Sequence, residues 1–297
     1  MISTHFVEKF IQVAKAPDPD LATAALLIAR LEYRRLDASR YLDTLDQMGA
    51  TAREQVGAVT DPLESIRVLN GYLFEELGFA GNEAQYEDPR NSFLNDVLER
   101  RTGIPITLSL VYIEVARRAG VLLEGVNFPG HFLLRVRGWD GQTEQLDHDL
   151  IVDPFHGGAL LSLNDCQRLL RQHGSPSAAF DPGLLVGATK SQILIRMLVN
   201  LKRIYVQMRS FPQAHEVTEM LVALNPSALA ELRDRGLLAY HLNDFSSALR
   251  DLEDYLRFSN PTGRDQEKDD EKDEKNDEFQ ELWEHVKTLR RRVAGLN

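Results

Sequence analysis

The sequence predicts an α+β protein, mostly helical, with one small antiparallel sheet and helical hairpins in its C-terminal third. Three observations carry that expectation. Apolar residues recur at helical spacing over most of the chain, the period shortens to that of strands only between Val121 and Phe155, and a repeat of 34 to 35 residues follows. The division is expected after residue 185, leaving residues 186–297 to the repeat unit, with an acidic linker over 262–278.

Taken in order, Phe6, Phe10 and Val13 fit one face of a first helix, and Asp20 then precedes LATAALLIARLEY, a run of strong helix formers. Asp37 starts the next. Asp61, Pro62 and Glu64 form a start signal in which the aspartate caps, the proline suits the first turn and the glutamate can reach back. Ile66, Leu69, Leu73 and Leu77 mark the buried face, with Gly78 or Gly81 as its end. Asp88 and Pro89 repeat the signal for NSFLNDVLERR, with Gly103 as the expected stop. A helix opening near Pro105 and Thr107 should bury Leu108, Val111, Tyr112, Val115 and Ala119 and close at Gly120 after two arginines.

After Gly120, the segments VLLEGVNF, HFLLRVRG and LIVDPF are short and rich in branched and aromatic residues, as antiparallel strands are. Ser162 with Asp165 is a partial capping box for a helix that turns Cys166, Leu169 and Leu170 inward. In the last third, Tyr205 recurs as Tyr240, Ala214 as Ala248, and Asn225-Pro226 as Asn260-Pro261. Gly236, Tyr240, Phe245, Ala248, Leu252 and Tyr255 sit where paired helices interlock, so the unit resembles a pair of tetratricopeptide repeats. Lys202 stands near the glycine expected in the first copy, and FQELWEHVKTLRRRVAGL is placed to cap the array.

The chemistry concentrates between Asp88 and His156. A helix start facing a strand that carries His131, followed by a strand ending in Asp153, is the layout in which a thiol nucleophile is aligned with a base and an orienting acid. Read together, RNSFLNDVLERRTGIPITLSLVYIEVARRAGVLLEGVNFPGHFLLRV, VDPF and the repeat-like tail resemble the bacterial SirB family of transglutaminase-like proteins with tetratricopeptide repeats. The resemblance spans nearly the whole chain and rests most on GIPI, NFPGHFLLR and VDPF. It implies a papain/transglutaminase-like fold over residues 1–185, with His131 and Asp153 as base and orienter.

The nucleophile is where the chain departs from that pattern. Ile104 to Ser109 contain no thiol, so Thr107 or Ser109 would have to substitute, and a hydroxyl is far less ionised than a thiol at neutral pH. Their structural alternative is that Thr107 caps the helix while Ser109 packs inside it. Cys166, the single cysteine, lies on a different helix and is expected to be a small buried apolar residue. His131 and Asp153 have two readings, a buried pair satisfying one another or the remnant of a ligand pocket. Asp147, His148, Asp149, Asp153 and His156 could supply metal ligands, but strand alternation splits them between faces and their spacing fits no metal motif. No metal or cofactor is therefore expected.

The expected function is a non-catalytic module, a pseudoenzyme that binds a protein or peptide partner through its repeats. The rival is an acyl transferase or hydrolase acting on amide or peptide bonds, with Thr107 or Ser109 as nucleophile, His131 as base and Asp153 as orienter. Of 297 residues 43% are hydrophobic, enough for ordinary cores, and the net charge of -11 opposes unaided binding to nucleic acid. RVRGWD and KTLRRRV are the compact basic phrases, and the second reads as the polar face of the last helix. No leader-like start and no run of about 18 uncharged apolar residues is present, so a cytoplasmic protein without membrane attachment is expected, in keeping with a lone cysteine.

Overall fold

The computed structural model describes residues 3–136, 150–173, 180–259, 282–284, 286–291 and 293. The acidic linker 262–278, Asn260, Pro261, Asp147, His148 and Asp149 lie outside the described residues. The chain divides into two compact units, Gln12–Asn200 and Met1–Ile11 with Leu201–Asn297. Among the described residues, no helix is long and apolar enough to cross a membrane.

Side-chain caps start most of the early helices. After α1 (Thr4–Ala14), Asp20 accepts the Thr23 N–H at 3.0 Å to open α2 (Leu21–Ala29), and Asp37 accepts that of Ser39 at 3.1 Å to open α3 (Ala38–Val56). Asp61 caps α4 (Pro62–Asn70) through Leu63 N–H at 3.1 Å, while Glu64 pairs with Arg67 instead of reaching back. The helix widens into a π-helical turn over Gly71–Glu76, which ends at Gly78 in a left-handed conformation.

The expected helix from Asp88 is two elements. Asp88 caps a 3-10 turn, Pro89–Ser92, the chain extends at Phe93, and α5 (Leu94–Arg100) stops at a left-handed Arg101 rather than at Gly103. The Arg101 guanidinium, bonded to the Leu77 carbonyl, holds that stop, and Gly103 instead pairs in a short parallel ladder, β1 (Ala80–Gly81) with β2 (Thr102–Gly103).

Next comes α6 (Pro105–Ala119), closed by a left-handed Gly120. The sequence suggested one buried face, yet every residue from Pro105 to Ala116 is buried. The reason is that α2, α3 and α5 pack on it together with strands of the sheet. The sheet is antiparallel in the order β3 (Glu124–Val126), β4 (Leu133–Val136), β5 (Leu150–Asp153), β6 (Ala159–Leu161). The fourth strand was not foreseen. Then α7 (Leu163–His173) begins with the reciprocal Ser162 and Asp165 bonds of a capping box, 2.9 and 3.2 Å, and buries Cys166, Leu169 and Leu170 against Val126, Phe128 and Leu133.

Following α8 (Lys190–Gln207), the second unit contains the hairpins α9 (Phe211–Leu224), α10 (Leu229–His241) and α11 (Phe245–Ser259). Ala239, Ala248, Leu252 and Leu256 form a core that Leu282, Val286 and Leu289 of the terminal segment complete. Lys202 bonds both Glu231 and Asp234 at 2.7 Å, so the position near the missing glycine carries an ion pair instead.

Two outcomes follow for stability. A Cβ on Gly49 would lie 2.2 Å from Arg118 Cβ, so Gly49→Ala should pry α3 from α6 and lower unfolding stability in urea by about 1–3 kcal/mol. Asp88→Ala should cost about 1 kcal/mol at neutral pH through loss of the cap. The Arg90 guanidinium holds the Asp88 carboxyl below the usual carboxylate range. Its contribution is complete above the unfolded-state value of about 3.9 and fades as pH falls through the folded one. The gap between wild type and variant should therefore narrow in acid.

Candidate functional site

At the junction of β4, β5 and the turn after β5, three polar side chains meet. Gly130 is left-handed and the His131 N–H donates to Phe128 O at 3.0 Å, so His131 projects from a turn two residues ahead of β4 rather than from the strand itself. Leu134 pairs with Val152, a register that brings the start of β4 beside the end of β5. Asp153 ends β5 and also caps the 3-10 turn Pro154–His156, accepting the Phe155 N–H at 3.0 Å.

His131 Nε2 lies 2.9 Å from Asp153 Oδ1, and His156 Nδ1 lies 2.7 Å from Asp153 Oδ2. The imidazoles stack with centroids 5.7 Å apart, and the Phe155 ring meets both edge-on. His131 and Asp153 are buried, whereas the His156 side chain is 47% exposed. Burial pushes the Asp153 carboxyl up, but hydrogen bonds and charge from His131 and His156 outweigh it and hold the acid below its ordinary range. It stays ionised at neutral pH.

The turn carrying His156 is fastened from behind. Gly157 and Gly158 are both left-handed, and a Cβ on Gly158 would lie 2.1 Å from Asn70 Oδ1. Asn70 Nδ2 donates to Gly158 O at 2.8 Å, and its Oδ1 accepts from the Tyr112 hydroxyl of α6 at 3.0 Å. On the open side, Asp153, His156, Ala159, Leu161, Asp165 and Arg168 line a cavity of 310 Å³.

Thr107 and Ser109 stand apart from this cluster in their bonding. Thr107 Oγ1 donates to Asn91 O at 2.7 Å and accepts the Ile104 N–H at 3.1 Å, which closes the start of α6. Ser109 Oγ is buried without a hydrogen-bond partner. Neither hydroxyl is bonded to His131. Cys166 is buried on α7, and burial, with the charge of Asp165 second, pushes its thiol up to about 11. His156 was not foreseen as a companion of His131. The signal for it was the pair of glycines directly after it, which marks a turn able to fold an imidazole back onto Asp153.

Residues 39–199 match the family model described as the transglutaminase-like superfamily, and residues 201–271 match that of the tetratricopeptide repeat. A UPF0162 protein of Xylella fastidiosa (strain Temecula1) is 42% identical over 241 residues, 80% of this chain and 83% of that one. Protein SirB1 of Salmonella typhimurium is 27% identical over 228 residues, covering 76% of this chain and 82% of its own. Human F-box only protein 21 is 34% identical over 180 residues, 59% of this chain but 27% of the longer relative. The chain belongs to the transglutaminase-like superfamily, with relatives among the UPF0162 and SirB1 proteins, and carries a tetratricopeptide-repeat segment after that domain.

Proposed function

We propose that this protein is a non-catalytic module that binds a protein or peptide partner, built on a transglutaminase-like domain with no working nucleophile. Tetratricopeptide repeats generally mediate contacts between proteins, and the C-terminal unit supplies such helices. The observation that carries the loss of catalysis is the bonding of the α6 start. To attack a carbonyl, Thr107 would have to give up Asn91 O, and the Ile104 N–H would lose its acceptor in a buried place, at about 1–3 kcal/mol. Ser109 would need an approach path through a fully buried helix. Cys166, the single thiol of the sequence, is pushed up to about 11 by burial and so stays protonated at neutral pH.

The acyl-transfer reading keeps one specific support. Asp153 engages Nε2 of His131, the geometry by which an acid orients a base whose other ring nitrogen serves the nucleophile. On that reading Thr107 or Ser109 attacks, His131 takes the proton and Asp153 steadies the imidazolium. We place the protein in the cytoplasm, where a single thiol stays reduced.

Two measurements separate the readings. The full chain should incorporate no labelled amine into glutamine peptides and cleave no amide above background, and native Cys166 should react with iodoacetamide about 100-fold slower than an exposed thiol until the protein is unfolded. A turnover that disappears in His131→Ala would sink the binding-module reading. Any complex isolated with the full chain should persist in His131→Ala. It should weaken when Val206 and Met208, 44% and 55% exposed, are both replaced by Glu.

A further inference from the structure

His131, Asp153 and His156 each offer one ligand atom, and these atoms lie within 4.8 Å of one another. We infer that the three side chains form a binding site for a divalent transition-metal ion of the zinc class. The inference stands apart from the partner-binding reading, and either can fail alone.

The donor set comes first. Two imidazoles and one carboxylate with positions left open are the ligands of catalytic zinc and mononuclear iron sites, whereas magnesium and calcium prefer oxygen donors alone. Across a tetrahedral ion with bonds of about 2.0–2.2 Å, neighbouring ligand atoms lie roughly 3.3 Å apart. The nitrogen-to-oxygen separations here are 2.9 and 2.7 Å, so each of those two edges opens by about half an ångström to admit an ion, and the three ligand atoms already lie within 4.8 Å of one another. Each nitrogen that now faces Asp153 hands its proton to the other ring nitrogen or to solvent.

The surroundings suit that exchange. Phe155 N–H fixes one carboxylate oxygen, and Asn70, itself held by Tyr112, fixes the turn behind His156, as outer-shell bonds fix ligands in metal sites. His156 is the adjustable member, half exposed. The cavity of 310 Å³ is lined by His156 and Asp153, so its space leaves room for water or a small anion to complete the shell. Besides satisfying Asp153 Oδ2, His156 brings a second imidazole from an exposed position to the same carboxylate, which completes a set of two nitrogens and one oxygen with one member at the surface.

The test uses the full chain without a histidine tag, stripped with chelator and titrated with Zn²⁺ by calorimetry and with Co²⁺ by visible absorption. One ion per chain is expected, with Co²⁺ giving the d–d bands of a low-coordinate nitrogen and oxygen site. His156→Ala and Asp153→Asn should each weaken binding at least about 10-fold and remove those bands. Should Asp153→Asn fail to fold by circular dichroism, His156→Ala, altered at an exposed position, decides alone. Absence of stoichiometric binding in wild type overturns the site, as does binding that His156→Ala leaves unchanged, which would assign the ion to another of the eight histidines. Neither result touches the amine-incorporation or complex-formation assays.

Discussion

A single buried carboxylate holds this site together. Asp153 has lost its water, and leaving an ionised group in that position without partners would be strongly destabilising. Three donors answer it: two imidazoles, one on each oxygen, and the N–H of Phe155. Their combined effect exceeds the desolvation penalty, which holds the Asp153 carboxyl below its ordinary range. Because the donors come from the turn before β4 and the turn after β5, satisfying one carboxylate fixes the end of the β5 ladder and the entrance to β6.

Behind that carboxylate stands α6, buried from Pro105 to Ala116, which gives both the sheet and the site a rigid back. A helix buried over most of its length has to satisfy its start and its buried charge internally, and this one does. Thr107 closes the start, while Glu114 near the end is buried and neutralised by Arg117 and Arg118, with Arg118 also reaching Asp46 on α3 at 2.6 Å. Gly49 lets α3 approach closely enough for that contact. From the other side Tyr112 reaches Asn70 and through it the His156 turn, so the packing of α6 and the geometry of the polar cluster are one problem.

Much of this was legible in the sequence because it is written in local signals. Asp20, Asp37, Asp61, Asp88 and the Ser162 and Asp165 pair each announce a start with residues a few positions apart, and each accepts a backbone N–H there, although Asp88 opens a 3-10 turn instead of the expected helix and Glu64 does not reach back. The pairing of His131 with Asp153 was also within reach, given the resemblance. What escaped depends on contacts distant in sequence. The stop at Arg101 is held by a guanidinium reaching Leu77, 24 positions away, and no short-range pattern reports it. The sequence grouped candidate metal ligands that are adjacent in the chain, whereas the side chains that converge are His131, Asp153 and His156, one from the turn before β4 and two from the end of β5 and its turn.

The buried pair and the exposed histidine bear on function differently. Removing either partner of a buried ionic or charge-assisted pair costs about 3–5 kcal/mol, so folding alone explains why His131 faces Asp153, and that contact by itself is weak evidence of chemistry. His156 is the other side-chain partner of the carboxylate, on Oδ2. Its side chain is nearly half exposed, and two left-handed glycines, Asn70 and Tyr112 hold the turn that aims its Nδ1 at the carboxylate. A buried carboxylate satisfied through a side chain that also reaches the surface links the interior to solvent, which a wholly internal pair does not do. The question of function therefore turns on His156 more than on the pair that resembles a catalytic dyad.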